Sequence, residues 1–233
     1  MSQKLVLILF AILLLFYSCK KSDTVPEVKP VKAVAKPVLT QNEPVKNIKE
    51  ADSINSKNVV AFLTKYGELH PEDKVIVKTK LGNLVVRLYH DTPLHRASFI
   101  FLTNMGYFSN TCFHRVVPGF VVQGGNSERP QALEMQNKYE NYTIPPEIRP
   151  NRTHKYGALA AARDYEDNPG KRSNAFEFYF IEGKKGAHHL DGEHTVFGEI
   201  ISGFPVLEKL AKLKTGRDQW PLEDVYMEID VLK

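Results

Sequence analysis

One stretch of the sequence, residues 113–126, combines residue types that suit the recognition of a peptide. Its valines favour extended backbone, and Pro118-Gly119 marks a bend between two short strands. Around that bend Arg115, Phe120 and Gln123 could converge on one patch, provided that a bulge interrupts the strict alternation of faces along the strand. An arginine held beside an aromatic ring and a glutamine is suited to bind carbonyl oxygens of a polypeptide.

Two other kinds of chemistry have less support in the sequence. The histidines and carboxylates within residues 188–194 could suggest a metal site, but neither a cysteine nor helical zinc spacing accompanies them, which favours a polar loop. A hydrolase needs a nucleophile paired with a base. Ser98 and Ser127 stand in no nucleophile-elbow context, and Cys112 lies beside His114 only in sequence. Cys112 is predicted to be a small buried residue without a disulfide.

The elements that must position the 113–126 stretch follow from the periodicity of apolar residues. Alternation over residues 75–88 predicts two strands, with Gly82-Asn83 as the turn between them. Thr92-Pro93 predicts the start of a helix that ends at Gly106, because threonine favours the N-cap and proline the first helical position.

The second half of the chain continues this pattern. Residues 126–152 are polar and rich in proline, which predicts a long loop or lid. Strands are predicted near residues 176–181 and 225–231, and a helix is predicted over residues 206–213. The small side chains of residues 156–163 fit either a closely packed strand or a helix. Two helices and about eight strands fit a mainly β fold, a closed eight-stranded antiparallel β-barrel capped by two α-helices.

The 113–126 stretch resembles the central motif of the cyclophilins, the cyclosporin-binding peptidyl-prolyl cis–trans isomerases. The match is nearly continuous over these fourteen residues, and the order of elements over roughly residues 74–233 is similar to that of the family. The resemblance implies a cyclophilin-like barrel. It also implies catalysis of rotation about Xaa-Pro amide bonds without any covalent intermediate, and no cofactor.

The resemblance implies a role for each matching position. Rotation requires loss of amide resonance, and an arginine donor beside the proline nitrogen would stabilise the twisted amide more than either planar form. Arg115, Gln123 and His194 match the family's catalytic positions, with His194 as a pocket wall and hydrogen-bonding group, not a general base. The positions that match the substrate-binding residues are Phe120, Val121, Ala162, Arg163, Glu177, Tyr179, His189 and Leu190.

Five of these positions depart from the usual family pattern. Valine replaces methionine at 121, arginine replaces asparagine at 163, glutamate replaces glutamine at 177, tyrosine replaces phenylalanine at 179, and histidine replaces tryptophan at 189. A buried tyrosine hydroxyl at 179 needs a partner. The departures leave open an alternative function, a non-catalytic proline-peptide-binding or scaffold module on the same fold.

The N-terminal residues predict export. Residues 1–18 have one early lysine and an apolar core of about a dozen residues, which is short for a membrane-spanning helix and typical of a signal peptide. Ser18-Cys19 resembles a bacterial lipoprotein box, which implies lipidation of Cys19; a plain signal peptide or an uncleaved anchor is the alternative. Residues 19–50 are rich in proline and lysine and predict a tether. Residues 51–73 predict a helical lead-in to the isomerase domain at 74–233.

The charge of the chain and its predicted location limit the classes of binding partner that we expect. The net charge of the 233 residues is +4, but from residue 51 onward basic and acidic residues balance, with 23 of each, so a nucleic-acid-binding face is not expected. The expected partners are proline-containing polypeptides and a membrane reached through the N-terminal lipid anchor. We expect a monomer in the bacterial cell envelope, lipid-anchored and facing the periplasm, that acts on exported proteins.

Overall fold

The computed structural model describes residues 54–139 and 141–233. The predicted signal peptide at 1–18, the lipidation site Cys19 and the tether at 19–50 lie outside these residues. Within the described ranges, every helix is too short or too polar to cross a membrane.

Eight antiparallel strands form one sheet, and two short strands form a second. The strands are β1 (Lys74–Thr79), β2 (Gly82–Leu88), β3 (Cys112–Val117), β4 (Val121–Asn126), β5 (Thr143–Ile144), β6 (Ala158–Ala161), β7 (Ser173–Asn174), β8 (Phe178–Ile181), β9 (Val196–Ser202) and β10 (Met227–Leu232). The large sheet has the order β10-β1-β2-β9-β6-β8-β4-β3, and β5 pairs with β7.

The prediction of a closed barrel is wrong: the large sheet is an open half-barrel with β3 and β10 at its edges. These two edges meet at an isolated bridge between Cys112 and Tyr226. Before that bridge, the irregular residues 212–226 occupy the outer edge of β3, where the carbonyls of Gln219 and Val225 accept hydrogen bonds from β3 amides. Because these β3 donors are already used, β10 cannot form a continuous ladder with β3.

Four α-helices are present in the described ranges, where the sequence predicted two that cap the barrel. They are α1 (Val59–Leu69), α2 (Pro93–Asn104), α3 (Pro130–Lys138) and α4 (Phe204–Ala211). Val59 and Leu63 of α1 are fully buried, and α1 packs against α2. The α3 helix and strand β5 lie in the segment that was predicted as a loop.

Helix α2 begins at Pro93 as predicted, but its N-terminus is capped from a distant segment. The Thr92 side chain makes no cap hydrogen bond. Instead the Glu147 carboxylate accepts hydrogen bonds from the backbone amides of Leu94 and His95, at 3.1 and 2.9 Å. A carboxylate at this end also interacts favourably with the helix dipole. Glu147 thereby fixes the segment after β5 to the sheet's covering helix.

The turn between β1 and β2 lies two residues before its predicted position. Thr79 pairs with Gly82, so Lys80 and Leu81 form the turn and Gly82 begins β2. The Thr79 hydroxyl sets this geometry, because its oxygen accepts from the Leu81 amide at 3.0 Å while its proton is donated to the Gly82 carbonyl at 2.9 Å.

Aromatic side chains fill the space between the sheet and α2. Phe178 on β8 is 2 % exposed and lies at the centre of this cluster. Its ring centroid is 5.3 Å from that of Phe99, 5.5 Å from Phe108 and 5.6 Å from Phe180, each in an edge-to-face arrangement. The opposite face of β8 carries Tyr179, so the aromatic core supports the strand that presents a predicted site residue.

Gly125 explains why glycines end the 113–126 stretch. Its φ is +99°, and a Cβ built there would lie 2.1 Å from the carbonyl oxygen of Phe176. The Gly125 carbonyl in turn accepts a hydrogen bond from the buried Tyr107 hydroxyl at 2.7 Å. Only glycine permits this close approach of backbones at the end of β4.

Candidate active site

A cavity of about 240 Å³ brings together most of the predicted site residues. Tyr165, which carried no signal in the sequence, also lines it. A larger cavity of about 620 Å³ beside Trp220 and Tyr226 contains none of the predicted residues. The predicted residues that line the smaller cavity are Arg115, Phe120, Val121, Gln123, Ala162, Arg163, Tyr179, Leu190 and His194.

Adjacent strands position the polar and apolar sides of this cavity. Arg115 on β3 pairs with Gln123 on β4, and Gln123 pairs with Tyr179 on β8. The bulge expected between Phe120 and Gln123 is absent, because the register is regular from Arg115–Gln123 to Val117–Val121. Phe120 instead reaches the cavity from the turn before β4. His189 is exposed beyond the cavity lining, where its ring stacks on Phe120 at 5.5 Å.

Two side-chain oxygens hold the Arg115 guanidinium. Its Nε donates to Gln219 Oε1 at 2.8 Å, and its Nη1 donates to Gln123 Oε1 at 3.4 Å. Gln219 lies in the irregular segment before β10 in a left-handed conformation, with φ of +68°. Its backbone carbonyl accepts from the Val116 amide at 3.0 Å, so the same residue fixes the strand and its arginine.

Glu177 lies behind Gln123 and does not line the cavity. Gln123 Nε2 donates to its carboxylate at 2.8 Å and Asn126 Nδ2 at 3.2 Å, while His114 Nε2 lies 3.5 Å away. Burial opposes ionisation, but these neighbours outweigh it and lower the pKa of Glu177. Because a carboxylate only accepts, the Gln123 amide must direct its Nε2 towards Glu177 and its Oε1 towards Arg115.

The hydroxyl of Tyr179 has the partner that burial requires. It lies 3.1 Å from His154 Nε2, and His154 Nδ1 lies 2.8 Å from Asp191 Oδ1. Since the carboxylate accepts from Nδ1, Nε2 is the acceptor for the tyrosine proton. His188 also contacts Asp191, at 2.9 Å. Across residues 54–139 and 141–233, no three His, Cys, Asp or Glu side chains are grouped to hold a metal ion.

His194 is held as a neutral imidazole with a defined tautomer. Its Nδ1 lies 3.1 Å from the Ala161 carbonyl oxygen, which can only accept, so Nδ1 carries the proton. Its Nε2 accepts from the Tyr165 hydroxyl at 2.7 Å. Burial lowers the pKa of His194, and the Arg163 charge acts in the same direction. The ring is therefore a wall and an acceptor.

The Arg163 side chain is held by Glu193. Its Nε donates to the Glu193 carbonyl at 2.9 Å and its Nη2 to the Glu193 carboxylate at 2.9 Å. Both backbone groups of the preceding Ala162 are used, since its amide donates to Glu177 O and its carbonyl accepts from Asn174. The Arg163 backbone amide and carbonyl have no partner among the described residues, so they are the groups open to an extended peptide.

The buried histidines predict a loss of stability in mild acid. Burial lowers the pKa of both His154 and His194 from the ordinary 6.5. Below that value the unfolded chain binds protons at these sites that the folded chain does not, so the free energy of unfolding is expected to fall as pH drops below about 6.5. Urea unfolding at several pH values between about 8 and about 5 measures this.

A matched pair of variants isolates the source of the pH dependence. His154→Asn should weaken the decline in the free energy of unfolding, whereas Leu69→Ala should leave the decline unchanged, because Leu69 is 71 % exposed and carries no titratable group. A free energy of unfolding that stays constant over this pH range in the parent protein would contradict the prediction.

Comparisons with known proteins agree with this geometry. The family model described as cyclophilin type peptidyl-prolyl cis-trans isomerase matches residues 74–230. A peptidyl-prolyl cis-trans isomerase-like 1 protein of Gibberella zeae is 32% identical over 156 residues, covering 65% of this chain and 89% of its own. The isomerase cypE of Dictyostelium discoideum is 31% identical over 159 residues, covering 66% of this chain and 94% of its own.

A solved structure shares the fold. The cyclophilin type isomerase of Cryptosporidium parvum, crystallised in the presence of the dipeptide Ala-Pro, superposes with a TM-score of 0.59 and 24% identity, covering 69% of this chain and 99% of its own. The family match over most of the described residues is the stronger finding. The chain belongs to the cyclophilin-type peptidyl-prolyl cis-trans isomerase family.

Proposed function

We propose that Arg115 catalyses isomerisation of Xaa-Pro bonds by stabilising the twisted amide. The observation that carries this is the arginine fixed by Gln219 and Gln123 on the polar side of a cavity whose other side is apolar. The barrier of about 18–20 kcal/mol arises from amide resonance, which is lost when the bond twists. The proline nitrogen then becomes an acceptor, and a donor already in place costs no reorganisation.

The apolar part of the cavity fits the proline ring. Phe120, Val121, Tyr179 and Leu190 supply its apolar surface, and His194 closes one side. The presence of the dipeptide Ala-Pro with the Cryptosporidium parvum isomerase supports a proline-containing peptide as the ligand here. Valine at 121 leaves more room than a longer side chain would, so this pocket should tolerate substitution on the ring.

Gln123 and Glu177 have supporting roles in this proposal. Gln123 presents its amide oxygen to Arg115, and Glu177 fixes the amide in that orientation. Glu177 is thus a positioning residue that acts through Gln123 and does not need to touch the substrate. His194 contributes a wall of the pocket. Because its proton lies on the nitrogen that faces Ala161, its other nitrogen accepts from the Tyr165 hydroxyl.

The competing candidate is a module that binds proline peptides without catalysis. The full-length protein, added to a short Ala-Pro-Phe peptide, should accelerate cis–trans exchange in NMR exchange spectra. Without catalysis this exchange takes about tens to hundreds of seconds. Chemical-shift changes on binding, without faster exchange, would establish the binding module and reject catalysis.

We also propose that the enzyme is a lipid-anchored envelope protein that acts on exported polypeptides. The support is the sequence before residue 51: a short apolar leader, Cys19 after Ser18, and a proline- and lysine-rich stretch. Two or more acyl chains would anchor the chain stably. Metabolic labelling with radioactive palmitate should mark the parent protein and not the Cys19→Ser variant. Equal labelling of both would reject the anchor.

A further inference from the structure

Tyr165 is an exposed aromatic side chain at the rim of the active-site cavity. Its relative exposure is 64 %, and it is the sole aromatic among the large apolar residues that are exposed in the described ranges. It nevertheless lines the same cavity as Arg115 and His194. A single exposed apolar side chain is ordinary at a protein surface, but this ring lies at the cavity that contains the predicted catalytic residues.

Three contacts fix this ring in place. Its hydroxyl donates to His194 Nε2 at 2.7 Å, and its edge meets the His194 ring at a centroid distance of 5.6 Å. The Arg163 guanidinium lies 4.1 Å from the centre of its ring. Arg163 is itself held by the Glu193 carboxylate, which also pairs with Lys171 at 2.7 Å. The ring therefore has one face on a fixed cation, while its remaining surface is open.

Charged side chains of both signs surround the ring, and Asp164, Glu166 and Asp167, which flank it in the chain, are exposed. Arg163 and Lys171 both pair with Glu193, and the pKa of Glu193 is lowered by Lys171 first and by Arg163 as well. The Arg163 side chain is only 5 % exposed. A peptide side chain that approaches Tyr165 would meet the open aromatic surface of the ring, which favours apolar and aromatic side chains. The exposed carboxylates of Asp164, Glu166 and Asp167 would disfavour acidic ones.

We propose that Tyr165 is a specificity-determining residue whose open surface forms a subsite for an apolar, above all aromatic, side chain adjacent to the substrate proline. The proposal rests on the isomerase function proposed above and deepens it by naming the substrate class. A fixed ring is suited to this task because it loses little conformational freedom when a ligand packs on it.

The test compares kcat/KM for Ala-Ala-Pro-Ala, Ala-Phe-Pro-Ala and Ala-Ala-Pro-Phe, measured by NMR exchange. The full-length parent should favour one of the phenylalanine peptides over the alanine peptide, and Tyr165→Ala should reduce that ratio by about threefold to tenfold, the range for an aromatic pair. Intrinsic differences between the peptides cancel when ratios of variant and parent are compared.

Two further variants separate a subsite from a structural role. Tyr165→Phe keeps the ring and loses the hydroxyl bond, so it should retain the parent's ratio. Leu69→Ala also removes an exposed apolar side chain, but at the end of α1, and should retain the ratio too. A parent ratio near one for both phenylalanine peptides, or an unchanged ratio in Tyr165→Ala, would overturn the subsite while catalysis stands.

The proposed function and the subsite fail in different ways. If the parent accelerates exchange of no peptide, the isomerase proposal fails. The same ratios, measured as dissociation constants by NMR titration, then decide the subsite: a loss of phenylalanine preference in Tyr165→Ala supports it, and an unchanged preference overturns it.

Discussion

Replacing Arg115 with alanine is expected to lower kcat/KM for prolyl isomerisation about 10²–10³-fold, the usual loss when one preorganised donor to the transition state is removed. Arg115 supplies that donor, and Gln219 and Gln123 hold it in place before the substrate arrives. Because the interaction forms only with the twisted amide, the loss should fall on kcat more than on KM. Exchange spectra of an Ala-Pro peptide over a range of concentrations separate the two.

Three variants accompany this measurement. Arg115→Lys keeps the charge but not the planar fork of donors, so it should recover only part of the activity. Gln219→Met removes the 2.8 Å acceptor and keeps the arginine, so its loss should be smaller than that of Arg115→Ala. Arg87→Ala, an exposed arginine on β2, should behave like the parent. Activity of Arg115→Ala within about twofold of the parent would reject the proposed mechanism.

Truncation of Phe178 to alanine is expected to lower the free energy of unfolding by about 3–5 kcal/mol, the usual cost of removing a fully buried phenyl ring. Truncation removes the edge-to-face contacts of this ring with Phe99, Phe108 and Phe180. Because the surrounding core is closely packed, the remaining side chains can fill only part of the space that is left. For a domain stabilised by about 5–15 kcal/mol, this loss is a large fraction of the total. Urea unfolding followed by circular dichroism measures it.

A surface truncation provides the control. Val60 on α1 is 48 % exposed, and Val60→Ala should change the free energy of unfolding by less than about 0.5 kcal/mol. Phe178→Leu fills part of the space and should lie between the two. A loss below about 1 kcal/mol in Phe178→Ala would show that the aromatic cluster is not the centre of the core.

The elements with strong local signals could be predicted from the sequence. Helix α2 follows from Pro93 and its apolar stripe, and the β3–β4 pair follows from valines on both sides of Pro118-Gly119. That the barrel stays open could not be predicted, because this depends on an irregular segment before β10 that occupies the β3 edge. The β1–β2 turn was misplaced because the Thr79 hydroxyl, and not the following glycine, sets it.

The candidate site likewise has one part that the sequence predicts and one part that it does not. Its strand residues could be placed by motif, but three of their hydrogen-bond partners come from segments without periodicity. Gln219 bonds to Arg115, Tyr165 bonds to His194, and His154 bonds to Tyr179. One signal did exist. A tyrosine at a buried position requires a hydrogen-bond partner for its hydroxyl, but sequence spacing does not say which residue provides it. Such long-range side-chain pairs become visible only when the loops are placed.

The covered edge of β3 has a consequence for pairing between chains. An exposed strand edge offers amides and carbonyls in a row, and a client polypeptide could pair with it and start an aggregate. Here the chain's own residues 219–226 take up amides of β3, and Trp220 lies over that edge against His114. The half-barrel can therefore remain open without offering these β3 amides as a template for intermolecular β-sheet.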